Sequence, residues 1–557
     1  MRGRALVLLM VLIAAPVGAQ KFYPDDPLLV DDDKLDVAAK PAEIELSDMY
    51  DRFGHMFKDW GKSPIGSEAR NVNTLDEVPD SSWFTNRHGS RRMSIDELTR
   101  GPNRGVGPNP SETWTVFASK SQGLTPGFQI YDEQDARYVI KLDPIEIPEL
   151  ASAAEVIATK IFYALGYNAP QNYIVRVNPE RFAIEPGTQI EDSFGDKMSL
   201  TDWRFRRSIR LVPRREDGTM RVVASKYLSG IPLGPYRYYE TRSDDRNDVI
   251  RHEDRRELRG LRLFAAWLNH DDTRAQNTQD AWVEENGKHY VRHYLLDYGS
   301  TFGSGSVDMQ RAELGFNYSI DFKEMKRNLL GFGFRVPEYR HAKWPPYPEY
   351  EAVGRWEGEL FDCEGWRNDY PNPAFMRMTA RDAFWAAKIV MRFTRDELAA
   401  IVETGEYTNP DNRVYFLEVL LERQRKCGRF GINAINPLDE FRLDGNALEF
   451  TNLSEHYGFI DANTRYDVSW STYDNERDER WTLSDPVTQS GTRVELPDGD
   501  GDFLLAQIRS LNEDYPHWSK RVSVYLRSKG SKGAQGAGYA IVGIERESPE
   551  NSTFPMN

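Results

Sequence analysis

Between Asn269 and Asn277 the chain sets an acid at Asp272, a base two positions on at Arg274 and an amide five positions on at Asn277. Twenty residues beyond that amide, the apolar run Tyr294-Leu295-Leu296 ends in Asp297-Tyr298-Gly299. Moving a phosphoryl group needs a carboxylate that accepts or orients the nucleophile's proton, oxygen ligands for a divalent cation, and a positive charge on the transferring phosphate. Asp272, then Asn277 with Asp297, then Arg274 offer these in that order. Upstream, Lys141 sits at the end of a Val-Ile-Lys run, where it could hold the α- and β-phosphates, and an ion pair with Glu155 would fix its direction. The turn Ser121 to Gly127, with Gly123 and Gly127, could close backbone N–H groups over phosphates. Lys226 and Tyr227, ahead of Ser229-Gly230, stand where backbone groups could meet a nucleotide base.

The elements that must position these residues are legible in the periodicity. Short alternations predict strands at Trp114 to Phe117, Phe128 to Ile130 and Tyr138 to Leu142. After Pro148 the spacing turns helical, with Leu150, Ala154, Ile157, Ile161 and Leu165 on one face and Gly166 as the stop, which puts Glu155 on a helix following the Lys141 strand. Strands are expected again at Tyr173 to Val177 and Met220 to Tyr227. Amphipathic helices are expected at Leu258 to Leu268, Thr379 to Arg392 and Val414 to Arg425, with loop and strand from Asn269 to Ser306 between the first two. After Pro437 the alternation returns around Tyr466 to Ser471, Phe503 to Ile508, Val522 to Leu526 and Tyr539 to Ile544, which reads as a separate β-sandwich-like module. Gln20 to about Pro110 is polar and loop-rich and reads as an arm or cap lying on another domain.

Taken in order, the Gly turn, Val-Ile-Lys, the helix Glu, Asp-x-Arg-x-x-Asn and Asp-Tyr-Gly resemble the protein-kinase-like superfamily, and more closely its atypical branches, the HipA-type and related secreted kinases. The resemblance covers roughly residues 112 to 430. It implies an α+β, bilobed protein-kinase-like fold with a β-rich N-lobe at 112–235 and a helical C-lobe at 236–434, preceded by the arm at 20–111 and followed by the β-rich module at 435–557. It also implies ATP and Mg²⁺, with Mn²⁺ as a substitute, and transfer of the γ-phosphate to a hydroxyl of an unidentified protein, carbohydrate or small molecule. By the same resemblance Asp272, Arg274 and Lys141 are catalytic. Gly123, Gly127, Lys141, Glu155, Lys226 and Tyr227 bind nucleotide, and Asn277 and Asp297 hold metal. The chain departs from the pattern at His270-Asp271, where His-Arg would stand, at Tyr298 in place of Phe, and in having no Ala-Pro-Glu segment. Two alternatives use the same residues: a kinase-derived binding or scaffold protein of the cell envelope, and a nucleotidyl transferase.

The 557 residues carry 71 Lys and Arg against 87 Asp and Glu, a net charge of -16, which argues against a broad nucleic-acid footprint. Arg2 and Arg4, an apolar run from Ala5 to Ala15 and the small residues Val17-Gly18-Ala19 form a signal-peptide pattern at 1–19, so export to a periplasmic or extracellular space is expected. No later run approaches the roughly 20 apolar residues of a transmembrane helix. Export would send a nucleotide-using site to a compartment poor in free ATP, so either the nucleotide source is special or the site has another use. Cys363 and Cys427 could form one bridge or remain two buried thiols. His289 and His293, or His270 beside Asp271, could contribute metal ligands, the latter in a metal-dependent hydrolase. The runs Tyr236-Arg237-Tyr238-Tyr239 and Trp344-Pro345-Pro346-Tyr347 could stack a sugar or peptide, or simply pack loops.

Overall fold

The structure, a computed structural model, describes residues 20–57, 67–119, 127–191, 197–210, 212–332, 334, 336–341, 352–498, 501–530 and 538–549. The expected signal peptide, Gly123 with most of its turn, and the Trp344 run lie outside these residues. The fold is mixed α and β. The leading arm carries α1 (Asp48–Phe57) and α2 (Ile95–Arg100). It is followed by β1 (Trp114–Ser119), β2 (Gly127–Tyr131), β3 (Arg137–Leu142), α3 (Leu150–Leu165), β4 (Asn172–Val177), β5 (Phe182–Ile184), β6 (Gln189–Glu191), β7 (Lys197–Ser199), α4 (Asp202–Ile209) and β8 (Met220–Lys226). Six of these strands make one sheet in the order β4-β8-β3-β2-β1-β5, antiparallel except where β5 joins β1 in parallel.

Period two along β3 buries Tyr138, Ile140 and Leu142 in a core with Phe205 and Ile209 of α4. Lys141 therefore points to the opposite face, where α3 lies. That helix is apolar nearly all round, with only Tyr163 short of full burial, as expected of a helix packed on several sides. Its first turn is held by Asp143, whose carboxylate accepts from the Ser152 amide at 2.8 Å. Gly166 ends it at φ +128°, and a Cβ there would strike the Phe84 ring at 2.2 Å.

Further along come β9 (Ile231–Pro232), α5 (Arg256–Leu268), β10 (Thr278–Glu285), β11 (Lys288–Leu295), α6 (Phe322–Leu330), α7 (Ala380–Met391), α8 (Arg395–Glu403) and α9 (Pro410–Ile432). The β10–β11 hairpin takes up the region expected to be loop and strand, and α9 runs well past both ends of its expected range. One apolar core joins α3, α5, α7, α8 and α9 and includes Trp83 and Phe84 of the arm. The Cys363–Cys427 disulfide, Cα–Cα 5.3 Å, ties α9 to the loop before α7. Beyond residue 437, a three-stranded and a six-stranded sheet share a core that includes Leu438, Leu448, Val494, Trp470 and Leu504. No helix among the described residues is long and apolar enough to cross a membrane.

The arm touches every part of this architecture. Phe22 is buried against Tyr473, Phe503 and Tyr525. The Val37 and Ile44 amides donate to His289 and Leu233, and Asp76 lies among Arg256, Arg381 and Arg546.

Candidate active site

Lys141 is the centre of the site. Its Nζ lies 2.9 Å from Glu155 Oε2 on α3 and 2.9 Å from Asp297 Oδ1, in the segment that follows β11. Burial works against the ammonium, but the Asp297 and Glu155 carboxylates outweigh it and hold Lys141 above the ordinary lysine range. Glu155 is fixed from its other side, because Asn172 at the start of β4 donates Nδ2 to Glu155 Oε1 at 3.0 Å and to Thr159 Oγ1 at 2.7 Å. Gly127 opens β2 directly opposite Lys141 in the β2–β3 register.

The loop after α5 supplies the second half. Arg274 Nε lies 2.7 Å from Asp272 Oδ1, and Asn277 Nδ2 donates to the Asp272 carbonyl at 2.8 Å. Asn277 Oδ1 accepts no hydrogen bond from a described residue and could serve as a cation ligand. The Leu296 amide donates to the Asn277 carbonyl at 2.8 Å, which sets Asp297, at φ +55°, beside the Asn277 loop. An amide oxygen and a carboxylate are hard donors suited to Mg²⁺ or Mn²⁺ once phosphate oxygens complete the shell.

The two adjacent acids diverge. Asp271 is buried, accepts from Gln310 Nε2, and gives its carbonyl to the Asp369 amide at 2.9 Å. Burial, with Asp272 and Asp369 nearby, pushes its carboxyl well above the usual range. Asp272 is partly exposed. Desolvation, opposed by Arg274, pushes it up to about 6, a value suited to a base working near neutrality.

Behind these groups runs an aromatic column. Phe162 of α3 stacks on Tyr298 at 5.0 Å and meets His270 edge-on at 5.6 Å. Tyr298 thus fills the place of the expected Phe as a buried packing ring. His270 is buried, and desolvation lowers it to about 4, so it packs as a neutral ring. Among the described residues no group of three or more His, Cys, Asp and Glu could hold a metal. His293 pairs with Asp280 at 2.6 Å and stacks on Trp83 at 3.4 Å. His289 stacks instead on Trp282. Tyr236 and Tyr238 are buried loop packing.

Lys226 ends β8 and Tyr227 follows it, but both amides donate within the fold, to Gln171 and Arg137 carbonyls. A base edge seeking N–H donors would therefore meet Leu228 to Gly230 instead. Sequence reasoning missed Asn172, Gln310 and, within the arm, Asp48. The Asp48 carboxylate of α1 lies 3.1 Å from Arg274 Nη1, and the only sequence signal for it was an acidic, amphipathic stretch.

No family model matches the chain, and no curated protein matches it. Three solved structures similar to it are kinases. One is a Helicobacter pylori proinflammatory kinase, CtkA, with a TM-score of 0.30 and 11% identity, covering 58% of this chain and 95% of that one. Another is the Golgi casein kinase, with a TM-score of 0.29 and 12% identity, covering 73% and 94%. A third is the Golgi casein kinase with Mn/ADP bound, with a TM-score of 0.26 and 12% identity, covering 60% and 74%.

Proposed function

We propose that the protein is an exported, Mg²⁺-dependent phosphotransferase that moves the γ-phosphate of ATP to a hydroxyl. On this reading residues 112–235 and 236–434 are the two lobes of a kinase-like fold, and 435–557 is an appended β-sandwich-like module. One observation carries it: the Lys141 ammonium lies 2.9 Å from both the Glu155 and the Asp297 carboxylates, beside the loop of Asp272, Arg274 and Asn277. A strand lysine, a helix glutamate and a loop aspartate 156 positions from the lysine converge there, and solvated surface charges have no reason to do so. The disulfide supports an oxidising compartment.

In this site Lys141 holds the α- and β-phosphates, and Glu155 keeps it aimed. Asp272 takes the acceptor hydroxyl's proton as its oxygen bonds to the γ-phosphorus, while the bridging oxygen–γ-phosphorus bond breaks and the electron pair leaves with ADP. Arg274 balances charge on the moving group. Asn277 and Asp297 would hold the cation, which when bound neutralises the β- and γ-oxygens.

The test is a thermal-shift titration of the purified protein with Mg·ATP. The midpoint is expected to rise with nucleotide, and the rise to vanish in Asp297→Ala, because a ligand stabilises only the fold that binds it. An unchanged wild-type midpoint at millimolar nucleotide would remove the reading. Mass spectrometry of reacted acceptor then distinguishes an added phosphoryl from an added nucleotidyl group.

A further inference from the structure

Among the described residues little is packed on α6. Of its nine residues only Glu324 is buried, and a helix this short is marginal in water without a packed face. Its outward side carries Phe322, Met325, Leu329 and Leu330, with Leu329 77% exposed. Phe332 and Phe334 follow it, the latter 90% exposed. α1 continues the same surface: Phe57 lies 5.8 Å from Phe322 and 6.3 Å from Phe53, ring to ring. So much contiguous apolar area marks an interaction site in a folded protein.

The charges on this face indicate what covers it. α6 carries Lys323, Lys326 and Arg327 against one carboxylate, Glu324, in a chain of net charge -16. Lys323 and Lys326 are exposed and make no ion pair among the described residues, while Arg327 pairs loosely with Glu324 at 3.7 Å. The acids of α1 turn inward, Asp48 to Arg274 and Asp51 to the Tyr370 hydroxyl. Aromatic and leucine side chains flanked by outward cations suit the boundary between headgroups and acyl chains. A second copy docked through the same face would oppose like charges across a two-fold axis.

We propose that α1 and α6 form a docking surface for an anionic lipid bilayer. The proposal is independent of the phosphotransferase reading, because binding is measured without nucleotide. The protein lacking the expected signal peptide, residues 20–557, is sedimented with vesicles of phosphatidylcholine alone and with vesicles containing phosphatidylglycerol. Binding is expected only with phosphatidylglycerol and is expected to weaken in salt. Lys323→Glu with Lys326→Glu should lower vesicle affinity at least about tenfold, and Leu329→Ser with Phe332→Ser should lower it comparably. All four positions are exposed, so the thermal midpoint should not move. Failure to sediment with either vesicle, or binding that both double variants leave intact, would overturn the proposal. So would a dimer in size-exclusion chromatography that the same variants dissociate, because the face would then join two copies.

Discussion

Asp271 and Asp272 have the same side chain one position apart, and burial gives them different chemistry. Asp272→Asn is expected to cut turnover by about 10²–10⁴-fold while leaving the Mg·ATP thermal shift in place. Asp271→Asn keeps the neutral shape that its burial favours and should retain turnover. The reverse order in initial rates would reassign the base. Because Asp272 is raised to about 6 and must be ionised to accept a proton, turnover should fall as pH drops through that region, above the limb of an ordinary aspartate near about 4. Arg274→Ala, which removes the main group holding it down, should move the limb to higher pH. A wild-type limb at the ordinary position would take Asp272 out of the role. The Asp272, Arg274 and Asn277 cluster was legible because its spacing is local. Asn172, Gln310 and Asp48 were not, because their partners Glu155, Asp271 and Arg274 lie 17, 39 and 226 positions away and no local pattern records such pairings.

At the scale of elements, α3 and the strands around Lys141 could be read from apolar periodicity, because burial there is apolar. α5 could not be read fully, because much of what it buries is charge. Arg255, Arg256, Arg259 and Arg262 are all buried, where a sequence reading gives arginine a solvated face. The carboxylate partners of Arg256 come from distant segments. Asp76 of the arm lies 2.7 Å from Arg256, and Asp382 of α7 lies 3.1 Å from it. Burial tends to raise Asp76, but Arg256, Arg381 and Arg546 more than reverse this and hold it well below the usual range. Its contribution to stability is therefore present above the unfolded value near about 4 and is lost as pH falls through the folded value. Asp76 sits at φ +62°, a conformation asparagine tolerates, so Asp76→Asn removes charge with little backbone cost. It should lower unfolding stability by about 3–5 kcal/mol at neutral pH and flatten the acid limb of stability. A change within about 0.5 kcal/mol in urea melts, the size of an ordinary surface substitution, would mean the three arginines need no counter-charge there.

At the scale of the whole molecule, the arm is the member that joins the parts. Its polar composition marks it as irregular, and its anchors, Phe22, Trp83 and Phe84, are isolated aromatics whose sites exist only once distant segments have come together. Phe22→Ala should cost about 3–5 kcal/mol and expose residues near the anchor to protease, with the Mg·ATP shift retained if the arm's later contacts persist. Equal stability and equal proteolysis would make the anchor a passive contact. The arm also imposes a chronology. Lys21 donates to the Tyr525 hydroxyl, 504 positions along the chain, so this end of the arm has no anchoring site until the strands of the β-rich region beyond residue 437 have been made. At about 5–20 residues per second, that is a wait of roughly half a minute to two minutes. Until Phe22 docks, the segment that carries Asp48 toward Arg274 depends on its inner contacts, the Val37 and Ile44 amides on His289 and Leu233.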